Sequence, residues 1–160
     1  MNSQLEHALL LRETDIQGAV YRFNGDERLY VSCLKMFLED PTMALLNESI
    51  ESETWVDAFT AAHALKGLAG NMGFVPLMHS TGQLLVIIRG GQIKKIGEYI
   101  AQVNSNYRDI ADAIRVNFSV DELKAKPTDE STSKPTDATT KSQAAPTNMK
   151  AASIKDVKGE

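Results

Sequence analysis

The sequence predicts an all-α protein: an antiparallel up-and-down four-helix bundle with a short N-terminal helix ahead of it and a disordered polar tail behind. Three observations predict it. Apolar residues recur at helical spacing through residues 1–118, with no alternating run of comparable strength. Capping residues and breakers divide that stretch into segments of helix length. Composition then changes abruptly: all ten aromatic residues and nine of ten glycines precede Ser119, while three of five prolines follow it.

Taken in order, residues 1–13 read as a lead-in and the bundle as residues 14–118. Asp15 to Phe23 suits a short helix carrying Ile16, Val20 and Phe23 across one end of the bundle. Asp26, after Asn24-Gly25, suits an N-cap for a helix bearing Leu29, Tyr30, Cys33, Leu34 and Phe37. Pro41 kinks or restarts that helix, and the stripe is expected to resume in phase with Ala44, Leu45 and Ile50. Thr54-Trp55-Val56-Asp57 reads as a capping box opening a helix that runs to about Met72. Pro76 fits the first turn of the next helix, which Gly90-Gly91 closes after Arg89. The last helix has the cleanest stripe: Ile93, Ile96, Ile100, Val103, Tyr107, Ile110, Ile114 and Phe118. Short connections make successive helices antiparallel.

Residues 119–160 hold seven Lys and seven acidic residues among Ser, Thr and Ala, and repeat Lys-Pro-Thr-Asp at 126–129 and 134–137. Such a segment buries too little apolar surface to offset chain entropy, so disorder is expected. The chain has 17 basic and 21 acidic residues; less seven of each, residues 1–118 carry the whole net charge of −4. That mild acidity argues against a nucleic-acid binder. A single Cys33 excludes a disulfide framework and a four-cysteine zinc site, and fits a reducing compartment. No apolar run reaches membrane-spanning length, and the N-terminus lacks a basic leader, so a soluble, cytoplasmic protein is expected; the last helix's stripe fits an intramolecular bundle without demanding a dimer, and a monomer is expected. His7 and His79 stand alone without spaced ligand partners, so no metal site is expected.

The chemistry concentrates on one helix. In the run from Ala58 to Met72, Ala58, Ala61, Ala62, Leu65, Leu68, Ala69 and Met72 gather on one face. His63 projects from the other, with Gly67 and Gly70 within about 40° and Lys66 about 60° away. Two glycines inside one helix weaken it, and on one face they offer close approach to another body. Lys66 brings a mobile positive charge suited to a phosphoryl group. Val56, Phe59 and Phe74 are placed as an apolar rim, part of it covered by the short N-terminal helix, and Asn71 as a further rim or phosphoryl contact. A neutral imidazole is a competent nucleophile, so the pattern points to a phosphoryl carrier. No acidic ligand set accompanies His63; Mg²⁺ and a carboxylate would come from the partner. No nucleotide loop of the Gly-x-x-x-x-Gly-Lys type is present, which argues against an autonomous kinase.

The run His63 to Gly73, His-Ala-Leu-Lys-Gly-Leu-Ala-Gly-Asn-Met-Gly, resembles the signature of histidine-containing phosphotransfer (HPt) domains of bacterial phosphorelays. Gly25 to Tyr30 and Phe37 to Asp40 resemble that family's second helix, and the likeness covers about residues 14–117. It implies that His63 accepts a phosphoryl group from a sensor histidine kinase or a response-regulator receiver aspartate and passes it on. Lys66 would neutralise the phosphoryl charge, Gly67 would be the small residue under the receiver, and Gly73 would close the helix. Arg89 falls where some relatives keep a basic residue. The Glu or Gln that orients the imidazole in many relatives falls here on Leu85, and Gln83 is the nearest candidate substitute. A receiver-binding adaptor without phosphotransfer is the alternative that this departure supports.

Overall fold

A computed structural model of the protein describes residues 1–118; the expected disordered tail lies outside the described residues. The described residues are helical, in seven α-helices: α1 Ser3–Leu10, α2 Ile16–Arg22, α3 Glu27–Glu39, α4 Thr42–Glu51, α5 Trp55–Met72, α6 Val75–Arg89 and α7 Ile96–Asn117. A single 3-10 turn, Ile93–Lys95, leads into α7. Among the described residues the one β-type pairing is an isolated bridge between Thr14 and Phe74. α4 packs on α5, α5 on α6, α6 on α7, and α3 on α7 and α5, closing a ring around the core.

Most of the local signals act as the sequence suggests. Asp15 and Asp26 accept hydrogen bonds from the Gly18 and Leu29 amides, at 2.9 and 3.0 Å, capping α2 and α3. Pro76 lies in the first turn of α6, and Gly91 takes a left-handed φ of 62° beyond its end. The box at Thr54 does not form. Its hydroxyl donates instead to the Ser49 carbonyl at 3.2 Å, tying the start of α5 back to α4.

Pro41 separates two helices rather than kinking one. Asp40 is extended, and its carboxylate accepts from the Thr42 amide at 2.8 Å. The restart rotates the buried stripe: Met43, Leu46 and Ser49 face inward, while Ala44 and Leu45, expected there, are exposed. Leu29 also lies outside the core, whereas Tyr30, Leu34 and Phe37 are fully inside it. On α7 the stripe from Ile96 to Ile114 packs inward, and Ile93, in the preceding turn, stays partly exposed.

The lead-in carries an additional helix. Asn2 caps α1 by accepting from the Leu5 amide at 2.7 Å, and Leu5 and Leu9 are buried against the rest of the core. α1 packs on α7, and the Arg12 guanidinium fastens its end by donating to the carbonyls of Asp109 (2.6 Å) and Ala8 (2.8 Å). Two full anchors in eight residues are too few to stand out as a stripe, which is why the sequence alone leaves this segment unassigned.

Beneath the helix that carries His63, Phe37 meets Phe74 edge-on at 4.9 Å and Tyr107 at 5.0 Å. The Tyr30 hydroxyl donates to the Met72 carbonyl at 3.1 Å, and burial pushes its phenol well above the ordinary range. Gly73 ends α5 in the left-handed conformation, with φ 78°, and its carbonyl accepts from the Asp15 amide at 2.8 Å. A Cβ at Gly73 would come within 2.4 Å of the Asp15 carbonyl oxygen. Glycine is therefore required there twice over, for torsion and for space.

Candidate functional site

α5 buries Ala58, Ala62, Leu65, Ala69 and Met72, with Ala61 and Leu68 half-buried, so its predicted inner face is the observed one. His63 stands on the outer face, exposed and mid-helix. Its imidazole makes no hydrogen bond among the described residues. Its neighbour is the half-buried Phe59, one turn earlier, whose ring lies 6.3 Å away and near-parallel at 25°.

Lys66 and Gly67 are exposed on the same face. Nothing lies within 4 Å of where a Gly67 Cβ would be, so the approach to the backbone beside His63 is clear. Gly70 differs. A Cβ there would press on the Met78 sulfur of α6 at 3.3 Å, so the close approach it permits is largely intramolecular. Val56, 80% exposed, extends the face two turns toward the start of α5. Asn71 is exposed but eight residues on, about 12 Å along the axis from His63. Its carbonyl accepts from Arg22 Nε at 3.2 Å.

Phe74 must be removed from the predicted rim. It is fully buried, because Gly73 ends the helix and turns the next side chain into the core. The expected cover from the short N-terminal helix is also absent at His63. α2 is fastened at the far end of α5, by the Asp15–Gly73 hydrogen bond and the Arg22–Asn71 contact.

The α5–α6 register decides the orienter question. Gly70 lies opposite Met78 and Lys66 opposite Gly82, so one turn further His63 comes opposite Leu85, and Phe59 opposite Arg89. Leu85 is 9% exposed within the core cluster and offers no hydrogen bond. Gln83 lies about 100° around α6 from Gly82 and makes no hydrogen bond to His63, so it does not orient the imidazole. Arg89 is exposed, seven residues beyond Gly82 on α6.

One residue at this edge was not visible from the motif. Gly82 lies across from Lys66 on α6, and its only signal in the sequence is that it is a glycine in mid-helix. Grooves of about 560 Å³ between α4 and α5 and about 410 Å³ between α3 and α5 flank the helix, but neither is lined by His63 or Lys66. The imidazole itself is exposed. Among the described residues no group of three or more His, Cys, Asp or Glu side chains is placed to hold a metal ion, and no helix is long and apolar enough to cross a membrane.

The helical domain presents an exposed histidine, lysine and glycine together on one face of α5. The family model of the Hpt domain matches residues 33–115, more than half of the chain, and the protein belongs to that family of phosphorelay histidine phosphotransfer domains. The match starts within α3, so α1 and α2 lie outside it. No curated protein and no solved structure matches the chain.

Proposed function

We propose that His63 is the phosphoryl acceptor of a phosphorelay, taking the group from a sensor histidine kinase or a response-regulator receiver aspartate and passing it to a receiver. The observation that carries this reading is the exposed imidazole, free of hydrogen bonds within the domain, beside Lys66 and the unobstructed Gly67. In the transfer from a receiver, the unprotonated imidazole nitrogen attacks the phosphorus of the aspartyl phosphate. A P–N bond forms, the P–O bond to the aspartate breaks, and the aspartate leaves as a carboxylate. The proton on the other ring nitrogen passes to solvent. Lys66 faces the negative charge that builds on the phosphoryl oxygens. Mg²⁺ would arrive with the receiver, since among the described residues no group of three or more His, Cys, Asp or Glu side chains is placed to hold a metal ion.

The chain acts in this reading as a carrier without kinase activity of its own, as a monomer in the cytoplasm, without contact to nucleic acid or membrane. The test is incubation with a phosphorylated receiver domain followed by intact-mass analysis. Acid-labile phosphate on wild type and none on His63→Ala is the expected result; equal labelling of both would overturn the assignment.

A second reading, a receiver-binding adaptor without transfer, is favoured by the buried Leu85 where an orienting amide or carboxyl would stand. Losing that partner leaves the ring tautomer to solvent, which slows a nucleophile without removing it. The adaptor reading requires receiver binding by His63→Gln equal to wild type together with no label on either protein.

A further inference from the structure

A glycine in mid-helix weakens the helix relative to alanine, so its position asks what a side chain would obstruct. Gly82 is the central residue of the 15-residue α6. A Cβ built on it would lie 3.7 Å from Lys66 Cε and 4.0 Å from both Cδ and Nζ. The outer stem of Lys66 therefore runs over bare α6 backbone. One methyl group would fit there at ordinary contact distance; a longer side chain would claim the volume the lysine occupies.

Lys66 is an exposed residue with a long, rotamer-rich stem, and such a side chain loses entropy whenever its charge is fixed beside a ligand. Resting the methylenes against the neighbouring helix while the ammonium stays in water removes part of that loss in advance. The bare spot lies one helical turn from the level of His63, where the ammonium is needed.

We propose that Gly82 is a positioning residue for phosphoryl transfer, its bare backbone seating the Lys66 stem against α6 so that the ammonium is held beside the phosphoryl group on His63. This rests on His63 being the acceptor. Gly67 and Gly82 then have separate tasks: Gly67 leaves room for the visitor, and Gly82 for the chain's own lysine.

The test uses the full-length chain with phosphoramidate as donor, so that partner docking does not enter, and phosphohistidine read by intact mass and phosphorus NMR. Lys66→Ala and Gly82→Leu are each expected to slow labelling about tenfold. The double variant is expected to be no slower than Lys66→Ala alone, because the seat acts only through its lysine. Gly82→Ala is expected to restore labelling to within about twofold of wild type. If circular dichroism shows lost helix in Gly82→Leu, Gly82→Met takes its place in the cycle. Labelling of Gly82→Leu at the wild-type rate, or a double variant slowed about a hundredfold, would overturn the role of Gly82 while leaving His63 as acceptor. Absence of label on wild-type His63 would overturn the acceptor assignment and this role with it.

Discussion

His63 and Lys66 are one helical turn apart on the exposed face of α5, and in the proposed reading they divide the chemistry between a nucleophile and a charge. The division makes their substitutions distinguishable. On that reading His63→Ala removes the acceptor imidazole, so labelling from a phosphorylated receiver should fall to zero. Lys66→Ala leaves that ring and removes a charge-assisted contact of about 1.4 kcal/mol in the transition state, so the rate should drop about tenfold with the same final yield. An unchanged rate, followed by quenched-flow mass analysis, would take Lys66 out of the mechanism. In the same reading Gly67 acts through space rather than chemistry. With nothing within 4 Å of its missing side chain, Gly67→Gln should preserve helix content, block labelling from a phosphorylated receiver and spare labelling from phosphoramidate. Equal labelling by both donors would mean that the visitor does not approach there.

At the scale of the element, α5 is held at both ends by contacts that fix the direction of its outer face. Thr54 ties its start to α4, and Gly73 locks its end to the start of α2. Gly73→Ala would add a side chain at φ 78° and within 2.4 Å of the Asp15 carbonyl, so a loss of about 2–3 kcal/mol is expected, read as a lower urea midpoint at unchanged slope. A midpoint equal to wild type would show that the joint yields freely. Leu9→Ala should cost about 2–5 kcal/mol, because α1 contributes two fully packed anchors to the common core. How far these elements could be read from sequence follows from how long each helical phase persists. The face of His63 was legible because 18 residues of α5 keep one phase. Phe74 was assigned to that face by continuing the phase through Gly73, where the left-handed residue ends it. Ala44 and Leu45 were assigned inward by continuing the phase of α3 across Pro41, where an extended Asp40 resets it. Gly82 escaped because its reason lies across a helix interface, and no pattern within α6 contains Lys66.

For the molecule as a whole, the aromatic centre that supports α5 also sets a limit on alkaline stability. Tyr30 is fully buried and donates its phenolic proton to the Met72 carbonyl; burial raises its pKa, with a smaller lowering from Arg22 and a smaller raising from Asp15. Tyr107, against Phe37, is shifted the same way by burial. The sign follows from proton counting. Above about pH 10 the unfolded chain releases these protons while the folded protein keeps them, so raising the pH favours unfolding. Below that point both states hold the protons and the groups impose no slope. Stability should therefore be insensitive to these phenols up to about pH 10 and then fall, by up to about 1.4 kcal/mol per pH unit for the fully buried Tyr30 and by less for the half-buried Tyr107. Tyr30→Phe should cost about 1 kcal/mol at pH 8 through the lost hydrogen bond. It should also flatten the decline between pH 10 and 11 by roughly one proton's worth, as measured by urea midpoints at each pH. If the variant instead declines as steeply as wild type, the phenol under α5 is exchanging its proton with water in the folded state. The joint between Tyr30 and the end of the His63 helix would then be looser than the 3.1 Å hydrogen bond implies.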